Sequence, residues 1–529
     1  MAGGCATTGG VNAWKPAIDV VNRCLRAGVC EFVVCAGARN AALIEALARA
    51  ECAGRVRLWR HFEERSAGFF ALGRTLETGQ PCAVVTTSGT AAAELLPAMI
   101  EAHYQARPLV AITADRPAAY RGTGAPQAIE QAGLYGVYAW QGDFADWDGK
   151  QPLHLNVAFE ETFEPGAAEF AQPGAFVPAK DRIDVAALAR WLREDFYRGI
   201  VILIGGLEPD EQEEVFHFCK DFGAPVVAEA TSGLREALHG LAIHDADRVL
   251  KAHPPGKILR LGDVPSGRFW RDLEDLAQIA VWSVCRNGLP GLARECQVTR
   301  GPLERVIPAL GALDPAEDAL DLLVGASGRA ARATELLERY PDSEPALLHV
   351  LSHYAALGGG VFLGNSLPIR EWNEFAQWAR PVRGVRANRG ANGIDGQIST
   401  WLGWTAEVSE TWAVVGDLTA LYDLAAPCML GQVNRDGRVL AVINNGGGKI
   451  FGRLERLKSM SPRAAECMTN PQAVDLAGLA TLWGMAHLQI RRPDDLDAFE
   501  PGGPPMLLEI LPNPDQTSRF WADWDQPGR

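Results

Sequence analysis

The sequence predicts an α/β protein of three domains, each built on a parallel sheet flanked by helices. Three observations carry this. The chain has 529 residues, enough for several cores at ~150 residues per domain. Three successive segments alternate short apolar, β-rich runs with longer helix-period patterns, the grammar of parallel strands joined by helical crossovers. Hydrophobic residues make up 47% and charged residues 22%, which excludes a largely disordered chain, a collagen-like chain and a coiled-coil rod.

In the first segment, residues 1–180, the strand candidates are Glu31–Cys35, Cys82–Thr86 and Leu109–Thr113. Helical patterns follow at Asn40–Ala50 and Ala91–Tyr104, and another helix runs from Glu63 to Glu77. It stops before Gly79, a residue type that commonly ends helices. Pro165–Asp181 is rich in Gly, Pro and Ala and reads as a linker. The second segment, residues 181–340, opens near Asp184 with an amphipathic helix. Its strand candidates are Gly199–Ile204, Pro225–Ala228, Lys257–Leu261 and Ile279–Val284. The third segment, residues 341–529, has strand candidates Gly360–Leu363, Trp412–Val415, Val439–Ile443 and Met506–Ile510. Its tail carries Phe520, Trp521 and Trp524, which fit docking on the body or on a partner. The first and third segments resemble each other in style.

Lys and Arg number 50 against 65 Asp and Glu, a balance of −15. Nucleic acid and anionic membranes are therefore not expected as partners. A small acidic substrate stays open, because a few clustered arginines can hold one. The eleven cysteines are irregularly spaced without a C-x-x-C pair, so most are expected as buried free thiols in a reducing compartment. No uncharged apolar run approaches the ~18 residues of a membrane span. The start Met-Ala-Gly-Gly-Cys-Ala-Thr-Thr lacks a basic, apolar leader. A cytoplasmic location is expected.

The strongest chemical signal lies in the third segment. The apolar run Trp412-Ala413-Val414-Val415 leads into Gly416-Asp417, and Asn445 follows 28 positions later in Asn444-Asn445-Gly446-Gly447-Gly448. A hard cation takes oxygen ligands and is usually shared with substrate phosphates. Asp417 offers a carboxylate, Asn445 an amide oxygen and Gly447 a backbone carbonyl. The glycines let the backbone approach phosphates closely, and strand C-terminal ends are where open α/β sheets bind ligands. The pattern reads as a Mg²⁺-diphosphate site, with Mn²⁺ as the alternative ion. Ordinary turns are the plain reading of each motif taken singly. In the first segment, Arg60-His61-Phe62-Glu63-Glu64-Arg65-Ser66 places a glutamate after a strand and at the start of a helix. Alone, that is dipole complementarity. His349 and His353 have helical spacing but lack the glutamate of H-E-x-x-H.

Together these signals resemble the thiamine diphosphate enzymes, and within them the 2-succinyl-5-enolpyruvyl-6-hydroxy-3-cyclohexene-1-carboxylate synthase family of menaquinone biosynthesis. The resemblance runs from about Asn22 to Ile510. Its stretches are His61–Gly73, Thr86–Ala93, Thr113–Pro117 (TADRP), Gly124–Gly136 and His154–Val157. They continue with Gly364–Arg370 (GNSLPIR), Ala387–Thr400 (ANRGANGIDGQIST), Gly416–Leu424 and Asn444–Phe451.

The resemblance implies a thiamine diphosphate-binding fold with pyrimidine-binding, central and diphosphate-binding domains. It implies a homodimer or dimer of dimers with active sites at the subunit interface. Glu64 matches the glutamate that shares a proton with the aminopyrimidine. Ile394 matches the apolar prop of the bent cofactor. Asn365, Gly393, Asp417, Leu418, Asn445, Gly447, Ile450 and Phe451 match cofactor contacts. The implied reaction decarboxylates 2-oxoglutarate and adds the succinyl carbanion in 1,4 fashion to isochorismate. Ser366 and Arg370 match the succinyl side. Arg39, Arg116, Gln127 and Arg268 match the isochorismate side, and Arg389 adds a cation. Both substrates are dicarboxylates, which arginine binds bidentately.

The chain departs from the family pattern in places. Cys35-Ala36-Gly37-Ala38-Arg39-Asn40 stands where S-P-G-S-R-S is usual, Gly267 where a lysine is usual, and Asn392 where a serine is. Gly446 takes a usually polar position, and the Asp417-to-Asn445 interval is one residue longer. Two other readings stay open: another thiamine diphosphate carboligase or 2-oxoacid decarboxylase, against which the arginine count argues, and a catalytically silent cofactor-binding paralogue, which the substitutions at Ala38 and Gly267 motivate. A dinucleotide-binding protein is disfavoured by the lack of a G-x-G-x-x-G turn.

Overall fold

The computed structural model describes residues 12–160, 162–194, 199–316, 320–454, 457 and 459–526, with the side chains of 320–327 outside the description. The N-terminal stretch that contains Cys5 also lies outside the described residues.

Three parallel sheets form the frame. The first contains β1 (Glu31–Cys35), β2 (Arg57–His61), β3 (Cys82–Thr86), β4 (Leu109–Asp115), β5 (Trp140–Gln141) and β6 (Leu153–Ala158), in the order β2-β1-β3-β4-β6-β5. The second contains β7 (Ile200–Ile204), β8 (Val226–Ala228), β9 (Lys257–Leu261), β10 (Ala280–Cys285) and β11 (Gln297–Arg300), in the order β11-β10-β9-β7-β8. The third contains β12 (Gly360–Leu363), β13 (Val385–Arg386), β14 (Thr411–Gly416), β15 (Val439–Ile443), β16 (Ala486–Ile490) and β17 (Met506–Ile510), in the order β13-β12-β14-β15-β17-β16.

Counted from its own first strand, the first sheet runs 2-1-3-4-6-5, and so does the third. The similar style of the two sequence segments is thus a shared topology. In every sheet the chain steps outward once and then crosses back past its first strand. This leaves a switch point at β1/β3, β7/β9 and β12/β14, where doubly wound sheets take ligands.

The central strands β1, β3, β12 and β15 coincide with their expected bounds, because they are nearly continuous apolar runs. Strand β2 was expected only as an unbounded strand before Glu63, and β5, β6, β11, β13 and β16 were not among the expected strands. Most are edge strands with polar residues or very few residues, such as Ala-His-Leu-Gln-Ile in β16, so their pattern is diluted. The helix expected over Ala91–Tyr104 is two helices, Thr90–Ala93 and Leu96–Tyr104. Pro97 stands in the first turn of the second, where its missing N–H costs no helical hydrogen bond.

The chain divides into two compact units. One comprises Met1–Ala179, Asp395–Ala406 and Asp423–Val433. The other comprises Lys180–Ile394, Glu407–Tyr422 and Asn434–Arg529.

In the first unit, Phe32, Leu43, Val85 and Ile112 are fully buried on the sheet. The expected linker is a strap on that core. Ala168 and Phe170 pack against it, and Gly174 N donates to the Leu25 carbonyl at 2.8 Å. The helix Glu64–Thr78 packs on the helix Gln397–Trp404 with backbones almost touching. A Cβ at Gly73 would lie 2.2 Å from the Thr400 carbonyl oxygen, and one at Gly403 would lie 2.1 Å from that of Phe70.

The second unit holds the other two sheets. Arg386 on β13 donates to the Leu207 carbonyl beyond β7 at 2.7 Å and pairs with Glu208 at 3.1 Å. The aromatic tail docks on the body: Phe520 and Trp524 are buried against Leu336 and Phe375. The described cysteines are free, and Cys24, Cys35, Cys82, Cys219 and Cys285 are buried.

Candidate active site

All strands of a parallel sheet end at one edge, so residues that follow them collect there. In the first unit β1 runs into the turn Ala38–Asn40. Asn40 staples the turn: its Nδ2 donates to the Cys35 carbonyl at 2.8 Å, and its Oδ1 accepts from Gly37 N at 2.9 Å. Arg39, 7% exposed, donates from Nη1 to the Phe159 carbonyl at 2.9 Å.

After β2 comes Glu63, the N-cap of the helix Glu64–Thr78. Its carboxylate accepts from Arg65 N at 3.0 Å and Ser66 N at 2.9 Å. Capping is thereby done by Glu63, and the neighbouring Glu64 carboxyl is left outside the cap. Glu64 is half-buried. Burial pushes its carboxyl above the ordinary value, the hydrogen bond from its own amide pulls it down, and the charges of Glu63 and Glu94 push it up again. A carboxyl held nearer neutrality suits one that shares a proton. Behind it, His61 accepts from Glu63 N at Nδ1 (3.0 Å) and lies 3.3 Å from the Cys428 sulfur at Nε2. Burial pushes His61 down to about 4, so the ring is neutral.

After β3, Gly89 N donates to Gln131 Oε1 at 2.9 Å. Gln127 lies against that glycine, with its Cα 3.2 Å from where a Cβ would stand. After β4, the buried Asp115 accepts from Arg116 N at 2.7 Å and from Asn156 Nδ2 at 2.8 Å, fixing the corner. The Arg116 guanidinium stands 5.2 Å over the Tyr120 ring. The fold thus brings Arg39, Glu64, Arg116 and Gln127 to one edge of the first sheet.

The second unit repeats the arrangement on the third sheet. Beyond β12, Asn365 donates from Nδ2 to the carbonyls of Asn388 and Gly393, both at 2.8 Å. Its Oδ1 accepts from Arg389 at 2.9 Å. One amide therefore clamps the loop that ends in Gly393 and Ile394. Arg370 donates to the Ser366 carbonyl at 2.5 Å. Burial, then the positive charges of Arg389 and Arg271, push Arg370 down to about 10. Crowded cations of this kind are eased by an anion.

Beyond β14, Asp417 accepts from Leu418 N at Oδ1 and Gly447 N at Oδ2, both at 2.7 Å. Beyond β15, Asn445 donates from Nδ2 to both Glu344 oxygens at 3.0 Å. Its Oδ1 is buried without a hydrogen-bond partner. An orphaned buried amide oxygen beside a buried aspartate is what an oxygen-seeking cation needs, so the residues fit such an ion. Gly447, at φ +103°, adopts a conformation that L side chains rarely reach. Ile450 and Phe451 are half-buried on the following turn.

Arg268 stands apart in character. Its side chain is 53% exposed and pairs with Asp272 at 3.5 Å. Its short helix is capped by Asp247, which accepts from Arg268 N at 3.0 Å and Phe269 N at 2.6 Å.

Among the described residues seven non-glycine residues have positive φ, and three of them lie in the loops just described. Gln127 (φ +57°), Ser366 (φ +78°) and Asn392 (φ +63°) are non-glycine residues in the left-handed region. Such strain persists where surrounding structure enforces it, commonly at functional sites.

Sequence reasoning missed four residues. Glu63 was visible as an acidic N-cap. Glu344, Asp423 and Arg271 left no signal, because their partners lie far along the chain.

A glutamate at a helix start and an Asp and Asn at neighbouring strand ends are the features by which the chain resembles the thiamine diphosphate enzymes as a class. Residues 17–134 match the family model described as thiamine pyrophosphate enzyme, N-terminal TPP binding domain. The chain is 48% identical to the 2-succinyl-5-enolpyruvyl-6-hydroxy-3-cyclohexene-1-carboxylate synthase of Akkermansia muciniphila, over 95% of this chain and 97% of that protein. It is 37% identical to the synthase of Bdellovibrio bacteriovorus over 96% and 98%, and 32% identical to that of Chloroflexus aurantiacus over 86% and 85%. The chain belongs to the 2-succinyl-5-enolpyruvyl-6-hydroxy-3-cyclohexene-1-carboxylate synthase family, thiamine diphosphate-dependent transferases.

Proposed function

We propose that the chain decarboxylates 2-oxoglutarate and joins the remaining four-carbon unit by 1,4-addition to isochorismate, giving the product that names its family, in menaquinone biosynthesis. The observation that carries this at the site is the cation cluster beside Ser366. Arg370, Arg389 and Arg271 lie within electrostatic reach of one another, and a dicarboxylate relieves their repulsion. Glu229 and Asp247 offset part of that charge, and pyruvate, with one carboxylate, offers no second group for the cluster to hold.

Bound thiamine diphosphate supplies the electron sink for decarboxylation and carbon–carbon bond formation. The chain's residues bind, orient and move a proton. Glu64 holds a proton against N1′ of the aminopyrimidine, and its raised affinity for that proton suits the exchange. Asn365 fixes the loop that bears Gly393 and Ile394, and Ile394 props the cofactor. Asp417, Asn445 and the Gly447 carbonyl hold Mg²⁺, with Mn²⁺ as a substitute, against the diphosphate. Leu418, Ile450 and Phe451 wall the cofactor. Ser366 and Arg370 take the distal carboxylate of 2-oxoglutarate. Arg39, Arg116, Gln127 and Arg268 take isochorismate, and Arg389 steadies Asn365.

The domain assignment is residues 1–180 for the pyrimidine, 181–340 as the central domain and 341–529 for the diphosphate. The working assembly is a homodimer or dimer of dimers, with Glu64 of one subunit and Asp417 of its partner serving one cofactor. Among the described residues no helix is long and apolar enough to cross a membrane. The proposed site of action is the cytoplasm.

The test is carbon dioxide release by the purified protein with thiamine diphosphate and Mg²⁺. 2-Oxoglutarate and pyruvate are compared, each with and without isochorismate. Turnover of 2-oxoglutarate that rises with isochorismate is expected. Preference for pyruvate would place the chain among other carboligases, and silence despite cofactor binding would make it a non-catalytic paralogue.

A further inference from the structure

An asparagine side chain has a donor end and an acceptor end of nearly equal shape, and only the oxygen can ligate a cation. A site that uses Asn445 therefore needs something to decide which end faces the ion.

Glu344 is the first residue of the helix Glu344–Ala355 and is 2% exposed. The helix start is fixed by Ser343, whose hydroxyl oxygen accepts from Ala346 N at 3.4 Å. Both Glu344 oxygens lie 3.0 Å from Asn445 Nδ2. Glu371 lies beside Glu344 and can share a proton with it, but any carboxyl oxygen that carries no proton only accepts, so it draws the NH₂ end toward itself. The opposite end, Oδ1, is buried and unpartnered. The Asp417 oxygens accept instead from Leu418 N and Gly447 N, each keeping a further lone pair for the ion. The arrangement has a division of labour: backbone amides set Asp417, and a side-chain carboxylate 101 positions away sets Asn445.

We propose that Glu344 is the positioning residue of the cation site, turning the Asn445 amide so that Oδ1 faces the ion held with Asp417 and the Gly447 carbonyl. It acts through Asn445. The inference rests on the reading of those three residues as the metal set. Partners that orient metal ligands in this way typically alter metal affinity when removed.

The test follows Mg²⁺-dependent binding of thiamine diphosphate by quenching of intrinsic tryptophan fluorescence. Mg²⁺ is titrated at fixed cofactor, and the melting temperature of the cofactor-free protein is measured alongside. Glu344→Leu is expected to raise the Mg²⁺ half-saturation by about 10–100-fold. Glu344→Gln keeps an acceptor oxygen and is expected to stay near the wild type. Asn445→Asp sets a carboxylate against Glu344 and is expected to weaken Mg²⁺ binding, although a carboxylate is the stronger ligand. Combining it with Glu344→Gln restores a donor–acceptor match and is expected to recover binding, a coupling that loss of general packing would not produce. An unchanged titration in Glu344→Leu, or no recovery in the double variant, would overturn the role of Glu344. A wild-type protein that binds the cofactor without regard to Mg²⁺ would instead remove the metal reading beneath it.

Discussion

Ser66 donates its hydroxyl hydrogen to Asp423 across 3.0 Å, two residues along the helix from Glu64. Asp423 is fully buried and also accepts from Ser399 N at 2.7 Å and Ser399 Oγ at 3.0 Å. One carboxylate thus ties together the first turns of two helices whose backbones touch at Gly73 and Gly403. Burial pushes Asp423 upward, and its three hydrogen bonds pull it back.

Asp423→Ala should therefore loosen the turn that presents Glu64. A buried amide left without its acceptor costs about 1–3 kcal/mol, and loss of the paired hydroxyls adds to this. The expected outcome is a stability loss of roughly 2–4 kcal/mol, with kcat falling more than KM rises. Urea unfolding and steady-state kinetics check this; an unchanged midpoint would contradict it.

Glu64→Gln should abolish the proton exchange while leaving the cap intact, because Glu63 makes the capping bonds. A turnover loss of about 10²–10⁴-fold is expected for a lost acid–base group, with the melting temperature unchanged. Near-normal turnover would sink the proton-sharing role.

Asp417→Ala removes the carboxylate and also the acceptor for Gly447 N. Cofactor binding should lose its Mg²⁺ dependence, measured by calorimetric titration at several Mg²⁺ concentrations. Unchanged affinity and dependence would take Asp417 out of the metal site.

Arg370→Ala should raise KM for 2-oxoglutarate by roughly 10–100-fold, the worth of a charge-assisted hydrogen bond. The effect on pyruvate should be much smaller. Equal effects on both would argue against a carboxylate-binding role.

Glu374 gives a pH prediction for the fold itself. Burial, then the charges of Asp245 and Asp247, push its carboxyl up to about 8 from 4.5. The folded state keeps it neutral where the unfolded chain has already ionised. Its contribution to stability is complete below about pH 4.5 and drains away as pH rises toward 8. Glu374→Gln does not ionise, so its melting temperature should match the wild type at low pH. It should draw ahead between pH 4.5 and 8 and keep a constant lead above. A lead independent of pH would show that Glu374 does not titrate there.

The frame was legible where local composition and burial agree. β1, β3, β12 and β15 are apolar runs with both faces covered, and the sequence pattern marks them. β2 and β16 carry polar residues because their outer sides meet solvent, so the same signal fades. The placement of the candidate residues was legible where a motif is short: Glu63-Glu64 at a helix start, Gly416-Asp417 at a strand end, Asn444 to Gly448 in the turn after a strand. Arg268 comes from a shorter motif, and only the fold shows that its side chain is half-exposed and paired with Asp272.

By itself, the sequence determined the alternation that makes three parallel sheets, the family, and the residue types at each strand end, because these are written within a few consecutive residues. Tertiary structure alone decided that the first and third sheets share a strand order, that Asp423 joins Ser66 to Ser399, and that Glu344 faces Asn445. Those facts depend on pairs separated by 24 to 357 positions. Contacts at such distances are selected by which strands pair and which helices pack, and one chain read residue by residue does not record that choice.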